Sequence, residues 1–538
     1  MTAAAGRLGA GALRGRVVAS RPPLALVVVG LAIGLLAITP LAYLVVRAVD
    51  VQAGALDFLA RPRTLSVVGG TVLLAGLVAF GTVAIGAPLA WLTTRTDLPG
   101  RRTWATLAVV PLAIPSYVTA FAFVAAFGPR GALQGMLEPF GVTRLPEVYG
   151  LAGAALVLTL AAYPYVLLAT RAALLRSDPS IEEAARLLGD RRRDVLRRVT
   201  VPILLPAIAA GGLLAVLYAL SDFGAVSLLQ FDSLARAIHV QYRASFDRSL
   251  AAVLALLLVG LALAVAVVEG RIRRRAAAFA VGGRGRPPAT VALGRWRWPA
   301  IAFCLSVVAL ALVVPVATVM VWLVRGLAQG AQIDVVVEDA VATFGVAAAA
   351  AGAAIVLAVP VAVLAARHPS TVSRTVGRLV DIGYGLPGIV VALAVVFLAT
   401  RVVPALYQTL ILLVLVYAIR FLPLASGTIR GTLVGLGTRF EEAGRTLGDS
   451  PAGAFRRVTV PLLRPALVAG GALVFLTVAK ELPMALLLGP IGFTTLATEI
   501  WDAASAGFYA RAAGPAAILL VLSAATVALL VRAEDRSR

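Results

Sequence analysis

Long apolar runs, separated by short segments that carry most of the charged residues, recur along the whole chain. A helix needs roughly 20 apolar residues to cross a bilayer core about 30 Å thick. Twelve runs reach this length, at about 24–46, 66–93, 104–127, 150–174, 204–229, 250–268, 299–324, 341–366, 380–399, 406–426, 465–488 and 513–531. The pattern predicts an all-α polytopic membrane protein with about twelve transmembrane helices.

The same residue pattern occurs twice in the chain. Residues 87–90 (APLA) match 359–362 (VPVA) at an offset of 272 residues. Further along the offset becomes 259, and RRVTVP at 197–202 is repeated at 456–461. Similarity at a fixed spacing over this length indicates an internal repeat.

The repeat predicts two six-span units, residues 1–270 and 299–538, joined by a basic cytoplasmic linker at 271–298. Because six spans separate one copy from the other, both copies have the same orientation. We therefore expect parallel repeats related by a pseudo-twofold axis along the membrane normal. A pathway on that axis would be lined by corresponding helices of the two halves.

Composition supports a membrane protein and limits its other functions. The 538 residues are 60% hydrophobic and 14% charged, with a mean hydropathy of +0.95, which is far from the values of soluble domains. The net charge of +22 reflects arginines that fall mainly in alternate loops. This positive-inside distribution predicts a membrane protein with both termini in the cytoplasm. It accounts for the charge without nucleic acid, and the single cysteine, Cys304, offers neither a disulfide nor a cysteine metal site.

A polar segment at 180–202, between the fourth and fifth spans, predicts two short helices joined at a glycine. Ser180 and Glu183 are spaced for a capping box, in which each side chain satisfies a backbone N–H of the first turn. Gly189 is suited to the left-handed conformation that ends a helix. Asp190 is suited to cap a second helix over about 191–199, which Pro202 closes.

The corresponding segment of the second half, 438–461, predicts the same elbow with small differences. Thr438 and Glu441 allow a capping box shifted by one position, and Gly448 is the predicted stop. Ser450 followed by Pro451 predicts the cap of the second helix, since proline is favoured at the first helical position.

These two segments resemble the EAA loop of bacterial ATP-binding-cassette importer permeases, which implies a bacterial inner-membrane protein. The resemblance rests on Glu-Ala-Ala at 183–185, Gly189 and Pro202, and on Glu-Ala-Gly at 442–444, Gly448 and Pro461. In that family the first helix of the loop docks on an ATPase subunit and couples its motion to the spans. The resemblance assigns this coupling role to eight residues: Glu182, Glu183, Ala184, Gly189, Glu441, Glu442, Ala443 and Gly448. Gly444 departs from the usual alanine and should loosen its helix by about 0.8–1 kcal/mol.

The chain contains no glycine-rich phosphate loop with its Lys-Ser/Thr ending, so we expect it to be neither an ATPase nor any other enzyme. The resemblance implies two ATPase subunits as partners, one for each loop, with ATP used by those subunits and no cofactor bound by this chain. It also implies an extracytoplasmic binding protein that delivers the substrate. That protein should land on the outer loops near 128–149, 230–249 and 489–512.

Charged residues inside the spans are the candidates for the pathway, because burying them in lipid is costly. Asp222 in the fifth span and Glu481 in the eleventh correspond in the repeat, and Lys480 is adjacent to Glu481. An acidic lining on the pathway would suit a cationic substrate. Structural pairing, or a position already at the outer interface, is the other interpretation.

The substrate is predicted from resemblance alone. The stretches SDFGAV at 221–226, KELP at 480–483 and GFTTLA at 492–497 resemble ferric-iron permeases of this superfamily. The fused layout is shared by thiamine permeases, so iron is the preferred substrate and thiamine or another small cation or solute the alternative. No metal-binding cluster held by the chain is predicted.

Two functions of other classes also fit a membrane protein with parallel halves. One is a secondary carrier driven by an ion gradient, and the other is a structural scaffold. Neither explains a matched pair of helix–glycine–helix elbows, and the spans show no evident series of protonatable residues. We therefore expect an ATP-driven importer permease.

Overall fold

The computed structural model describes residues 22–49, 54–129, 131–142, 147–244, 249–279, 290–330 and 333–537. The N-terminal tail and the centre of the predicted linker lie outside these residues. Within them the structure is helical, and the one extended pairing is a single bridge between Thr96 and Val291.

The α-helices of the first half of the chain are α1 (Leu24–Val49), α2 (Gly54–Ala60), α3 (Pro62–Arg95), α4 (Arg101–Leu107), α5 (Ser116–Phe127), α6 (Ala132–Leu137), α7 (Leu151–Arg176), α8 (Pro179–Leu187), α9 (Arg192–Val195), α10 (Val201–Ser221), α11 (Gly224–Leu228), α12 (Leu234–Ala244) and α13 (Ser249–Phe279). Those of the second half are α14 (Arg297–Val308), α15 (Val314–Ala328), α16 (Ile333–Arg367), α17 (Thr371–Gly385), α18 (Gly388–Val402), α19 (Leu410–Leu436), α20 (Arg439–Thr446), α21 (Pro451–Ala454), α22 (Val460–Ala479), α23 (Pro483–Leu488), α24 (Leu496–Ser505) and α25 (Tyr509–Ser537).

Shorter helical turns connect several of these elements. Turns of 3₁₀ helix lie at Val110–Ala113, Glu138–Phe140, Gly294–Trp296 and Pro404–Leu406. Turns of π-helix lie at Leu196–Thr200, Ala309–Val313 and Phe455–Thr459.

Nine helices in the described residues are long and apolar enough to cross a membrane. They are Leu24–Val49, Pro62–Arg95, Leu151–Arg176, Arg193–Ser221, Ser249–Arg273, Gly294–Ala328, Val336–Arg367, Leu410–Leu436 and Pro451–Ala479. Two further pairs of helices reach this length only together, which raises the number to at most eleven. The last predicted span corresponds to the first part of α25, where the apolar stretch Tyr509–Ala525 is shorter than the nine spans. The polytopic helical fold is confirmed, but the predicted number of twelve spans is not.

The third predicted span of each half is broken rather than continuous. In the first half, Arg101–Ala113 and Ser116–Phe127 meet at a bend of 97°. The break falls at Ile114 and Pro115, because proline drives the preceding residue out of the helical conformation. Leu386 and Pro387, at the corresponding position, separate α17 from α18 in the same way.

The chain forms two compact units, and neither coincides with a sequence repeat. The smaller unit contains the described residues of Met1–Ile38, Gly352–Tyr384 and Ala418–Leu473. The larger unit contains those of Thr39–Ala351, Gly385–Tyr417 and Val474–Arg538.

Each unit packs its helices closely at a glycine of the repeat. In the larger unit, a Cβ on Gly211 of α10 would lie 2.7 Å from Val166 Cα of α7. In the smaller unit, a Cβ on Gly470 of α22 would lie 2.6 Å from Thr428 Oγ1 and 3.1 Å from Ala425 Cα of α19. Only glycine permits these approaches, which are typical of helix contacts in membranes.

Candidate functional site

The first elbow, residues 178–200, lies in the larger unit and begins with an aspartate cap. The Asp178 carboxylate accepts a 2.9 Å hydrogen bond from the Ser180 backbone N–H, and Pro179 occupies the first helical position. This bond holds the pKa of Asp178 below its usual value. The predicted Ser180 cap is therefore wrong. Proline fits the first turn because its fixed φ suits a helix and its missing N–H needs no partner there, so the cap falls at the residue before it.

Both elbows turn at a left-handed glycine, as predicted. Gly189 and Gly448 each have φ of +96°. After the turn, Asp190 N–H donates to the Ala185 carbonyl and Asp449 N–H donates to the Gly444 carbonyl, each at 3.1 Å. This is the backbone closure expected of a glycine-terminated helix.

The second short helix of the first elbow begins later than predicted. Helix α9 starts at Arg192, so Asp190 is too early to be its cap, and that prediction is wrong. The Asp190 carboxylate instead lies 3.7 Å from the guanidinium of Arg198. The predicted single helix is α9 followed by the π-helical turn that leads into α10.

In the second elbow, residues 438–459 of the smaller unit, one predicted cap is formed and one is not. Ser450 Oγ accepts a 3.1 Å bond from Gly453 N–H, and Pro451 follows at the first helical position. Thr438 has helical backbone angles, φ −99° and ψ −10°, and makes no side-chain cap. A capping residue needs a non-helical backbone to aim its side chain back at the first turn, so the predicted box is wrong.

The first glutamate of the first elbow is largely buried in a polar network inside the larger unit. Glu182 Oε1 accepts bonds of 3.1 Å from both Arg95 Nη2 and Thr200 Oγ1. The same Arg95 nitrogen donates to Ser177 Oγ at 2.7 Å. The Arg95 and Glu182 side chains are only 5% and 16% exposed. We call Arg95, Glu182 and Thr200 the first clamp.

The second elbow contains the same network inside the smaller unit. Glu441 Oε1 accepts a 2.8 Å bond from Arg367 Nη2 and a 2.9 Å bond from Thr459 Oγ1. Arg367 Nη1 donates to the Leu433 carbonyl at 3.2 Å. We call Arg367, Glu441 and Thr459 the second clamp. Each of its members corresponds in the sequence repeat to a member of the first clamp, at an offset of 272 for arginine and 259 for the other two.

The next residues of each elbow face outward. Glu183, Ala184, Glu442 and Ala443 are exposed, and neither glutamate forms an ion pair with any described residue. Large apolar side chains accompany them: Ile181 is 50% and Leu188 88% exposed, and Phe440 is 52% and Leu447 89% exposed. Each elbow therefore presents a glutamate beside exposed apolar side chains.

The acidic residues predicted for the pathway lie at breaks in the fifth span of each half. Asp222 is buried where α10 ends; its carboxylate accepts bonds from the Ser116 hydroxyl and from the backbone N–H groups of Ala225 and Val226. These contacts start the short helix α11. Sequence reasoning placed Asp222 inside a continuous span and missed the break.

Glu481 has the corresponding position at the end of α22. Its carboxylate accepts a 2.9 Å bond from Met484 N–H and so starts α23. The backbone carbonyl of the adjacent Lys480 accepts a 3.3 Å bond from the Tyr117 hydroxyl at the start of α5. A Cβ on Gly224 would lie 2.8 Å from Tyr117 and 3.1 Å from Leu482. The larger unit thus brings three helix breaks together, those before α5, α11 and α23.

The sequence matches the family described as the binding-protein-dependent transport system inner membrane component twice, over residues 82–277 and 358–538. The two matches cover more than half of the chain and confirm the repeat. The chain belongs to this family.

Curated relatives extend the comparison. The Fe(3+)-transport system permease protein FbpB 2 of Haemophilus influenzae is 30% identical over 507 residues, 93% of this chain and 96% of that protein. A probable molybdenum transporter permease of Haloferax volcanii is 32% identical over 200 residues, 37% of this chain and 71% of that one. The sulfate permease CysW of Escherichia coli is 32% identical over 174 residues, 32% of this chain and 59% of that one. The relatives are permease proteins. Family membership together with the apolar helices makes the chain a multi-pass inner-membrane protein.

The permease also contains a second pair of matched helices that sequence reasoning missed. Helix α12 begins after Ser233 and α24 after Thr495, and their first N–H groups donate at 2.9 Å to Thr71 and Thr343, respectively. The two threonines correspond in the repeat. The signal available was FDSLARAIH at 231–239 against FTTLATEIW at 493–501, at a third offset of 262.

Residues at corresponding positions of these two helices meet in the larger unit. The rings of His239 and Trp501 lie 5.9 Å apart, and Phe223 lies 4.9 Å from the first and 5.8 Å from the second. Burial lowers the pKa of His239 to about 4, and Arg243 acts in the same direction. His239 is therefore neutral near neutral pH. Because His239 and Trp501 correspond in the repeat, their contact marks a place where the two sequence repeats meet.

The larger unit also contains a cavity of about 420 Å³. Its polar lining includes Tyr149, Gln230, Arg236 and Ser505. The lining draws on all three segments that the sequence predicts as landing surfaces, 128–149, 230–249 and 489–512. No group of three or more His, Cys, Asp or Glu side chains suited to a metal ion occurs among the residues that the structure describes.

Proposed function

We propose that this permease moves ferric iron, delivered by an extracytoplasmic binding protein, into the cytoplasm. Two separate ATPase subunits drive the transport by switching the permease between outward and inward access. One observation carries the ATPase-driven mechanism: each half of the chain holds an elbow that is fixed to its own unit by one largely buried glutamate and exposes a second glutamate beside apolar side chains.

The exposed elements of the elbows fit an ATPase partner. Exposed apolar side chains outside the spans indicate a protein interface. A short helix with an acidic first turn and apolar side chains can seat in a groove and pair with partner cations. In this proposal Glu183, Ala184, Glu442 and Ala443 face the ATPases, and Gly189 and Gly448 set the angle of each elbow.

The orientation follows from the same assignment. ATPase subunits act in the cytoplasm, so both elbows lie there in this proposal. With the six spans per half that the sequence predicts, both termini lie there as well. The elbows are rich in arginine, at 191–193, 197–198 and 456–457. The positive-inside distribution supports the same side of the membrane.

The polar cavity supports a landing site for the binding protein on the opposite side. Its lining comes from loops that are separate in sequence and converge around one opening. Arg236 at its edge is held by Asp232 and by the Gln230 carbonyl. A partner that offers polar side chains to this opening could recognise the permease without entering the pathway.

Iron is supported by the relative that spans nearly the full length of both chains, a Fe(3+) permease. The molybdenum and sulfate permeases match only about a third of this chain. Thiamine or another small solute is the alternative substrate within the family. Asp222, Glu481 and Lys480 belong to the pathway in this proposal, where the two carboxylates hold the broken helix ends.

Reconstituted transport tests the substrate. The permease, the ATPase and the binding protein encoded with it are placed in liposomes, and uptake of labelled ferric iron and labelled thiamine is measured with and without ATP. We expect saturable, ATP-dependent iron uptake that needs the binding protein. Saturable thiamine uptake without iron uptake would contradict the iron assignment and leave the importer assignment intact.

An ion-gradient carrier is the second candidate function, and the elbows distinguish it. The permease should retain an ATPase on purification, and reversing both charges with Glu183→Arg and Glu442→Arg should release it. The matched control is Arg186→Ala with Arg445→Ala, which changes exposed charges of the same helices. Uptake by the permease alone, driven by an ion gradient with no ATPase present, would favour the carrier.

A further inference from the structure

The first glutamate of each elbow lies in a different environment from the glutamate that follows it. Glu182 and Glu441 are largely buried and hydrogen-bonded within their own units, whereas Glu183 and Glu442 are exposed. Adjacent residues of one helix turn thus face opposite ways. The resemblance to the EAA loop assigns both glutamates of each pair to the coupling role, but the geometry separates them.

We propose that the two clamps are positioning devices. They make the first short helix of each elbow, α8 or α20, which we call the coupling helix, move as one body with the second and fifth spans of its half. Glu182 and Glu441 act on the ATPase only through the helix that they position. This inference rests on the proposed function, in which the elbows receive ATPase subunits.

The clamp joins three elements at one carboxylate oxygen. In the larger unit, Arg95 is the last residue of α3, Glu182 lies in α8, and Thr200 ends the π-helical turn before α10. Because a single oxygen accepts from both donors, α8 cannot shift away from either span without breaking a bond. A displacement of the coupling helix is therefore passed directly to two spans.

Burial makes the clamp a stiff connection. Removing one partner of a buried ion pair leaves an uncompensated charge in a poorly hydrated site, which is strongly unfavourable. Arg95 and Arg367 are 5% and 11% exposed, and Thr200 and Thr459 are 7% and 2% exposed. An exposed pair of the same elbow, Arg198 with Asp190 at 3.7 Å, has no such constraint because water screens it.

Duplication argues that the network is a requirement of the elbow and not an accident of packing. Three residues from three separate segments recur in both halves, and each copy forms the same two bonds to the same glutamate oxygen. Both copies also place the threonine at the end of a π-helical turn, Leu196–Thr200 and Phe455–Thr459. Such turns are frequent at functional sites.

The test removes the clamp charge while keeping the side-chain shape. The full transporter is prepared with Glu182→Gln and Glu441→Gln, and in parallel with Glu183→Gln and Glu442→Gln as the matched control. ATPase retention, ATP hydrolysis and substrate uptake are measured for each. We expect the clamp variant to keep its ATPase and its hydrolysis, while the substrate moved per ATP falls at least tenfold. The control variant should weaken ATPase retention, and its uptake should fall in proportion to the ATPase lost.

A second readout follows the permease alone and does not depend on transport. Hydrogen exchange of the backbone over 179–188 should become at least tenfold faster with Glu182→Gln and stay unchanged with Glu183→Gln. If the Gln pair does not fold, Thr200→Val with Thr459→Val removes only the second bond and should lower substrate moved per ATP by a smaller factor.

Two results would overturn the proposal: loss of ATPase retention with the clamp variant, or unchanged exchange and unchanged coupling. The charge-swapped variant, Arg95→Glu with Glu182→Arg, should move more substrate per ATP than a variant with either substitution alone. Failure of the wild-type protein to retain an ATPase would contradict the proposed function instead, while the exchange measurement would still test the clamp.

Discussion

The first and second elbows share the residues that fix them to the spans and differ in the residues that stabilise their short helices. Both keep the clamp and the glycine with φ of +96°. The first starts with an Asp178 cap, whereas Thr438 of the second makes no side-chain cap. The position of the first short helix is thus held in the same way in both elbows, while its local stability is set independently in each half.

The packing between the two short helices also differs. In the second elbow, Gly444 is buried, and a Cβ on it would lie 3.3 Å from the Ala454 Cβ. The first elbow has Ala185 and Val195 at these positions. Gly444 allows a close approach of the two short helices of the second elbow. Its effect on that elbow is therefore not limited to the loss of helix propensity.

The largest effect is expected at the left-handed glycine that both elbows share. Gly189→Val and Gly448→Val force a β-branched residue into a left-handed backbone, which costs on the order of 1–3 kcal/mol per site and changes the angle of the elbow. We expect ATP-coupled uptake to be lost in the double variant with the permease still folded. Uptake in liposomes and size-exclusion profiles measure this.

The matched control for strain is Gly330→Val, since Gly330 has φ of +80°, open space around it and a position outside both elbows. It should keep most of the uptake. Equal losses in the control and in the elbow variants would mean that strain alone, and not the elbow, explains the effect.

An exchange of side chains at the exposed surface should sharpen the comparison next. Leu187 of the first elbow is 89% exposed, and the corresponding residue of the second is Thr446. Burying a leucine side chain contributes about 1.5–3 kcal/mol. Leu187→Thr should therefore weaken ATPase binding at the first elbow by about tenfold or more, and Thr446→Leu should strengthen it at the second.

Binding at each elbow is measured separately, with the other disabled by Glu442→Arg or Glu183→Arg. If the two elbows bind the ATPase equally well without these substitutions, and Leu187→Thr and Thr446→Leu change neither affinity, the expected difference between the two ATPase contacts would be contradicted.

A low pH should affect the N-terminal ends of α8 and α20 differently. The Ser180 N–H holds the pKa of Asp178 below its usual 3.8, so the cap stabilises the helix above that value and is lost as the pH falls through the lowered pKa. The second elbow has no titrating cap and should not respond. Hydrogen exchange over 179–182, compared with Asp178→Asn to remove the effect of pH on exchange itself, measures the difference. Identical pH profiles for the wild type and Asp178→Asn would show that this carboxylate does not control the start of α8.

Local signals explain what could be predicted from the sequence. The repeat and the glycine stops depend on residues close together in the chain, and both are visible as fixed offsets and a residue type that alone favours a left-handed backbone. The cap of the first elbow was misplaced by two residues because Asp178 and Ser180 are both good caps, and only the helix start at Pro179 decides between them.

The clamp could not be predicted because its partners are distant in sequence. Glu182 and Arg95 are separated by 87 residues, and an arginine at the end of a span is ordinary for a membrane protein. The role of Asp222 as a helix start depended on a break that an apolar run conceals. Sequence hydropathy records which residues lie in lipid and not where a helix within it is interrupted.

The smallest effect is expected at the position where the elbows differ most in residue type. Gly444→Ala gains about 0.8–1 kcal/mol of helix propensity, but its new methyl group must displace Ala454 by a few tenths of an ångström. The two terms nearly cancel, so the change in thermal stability should correspond to less than about 1 kcal/mol. The reverse change in the first elbow, Ala185→Gly, loses the same helix propensity and should be destabilising by about 0.8–1 kcal/mol. Stabilisation by Gly444→Ala as large as the loss from Ala185→Gly would show that the second elbow does not need glycine for its packing.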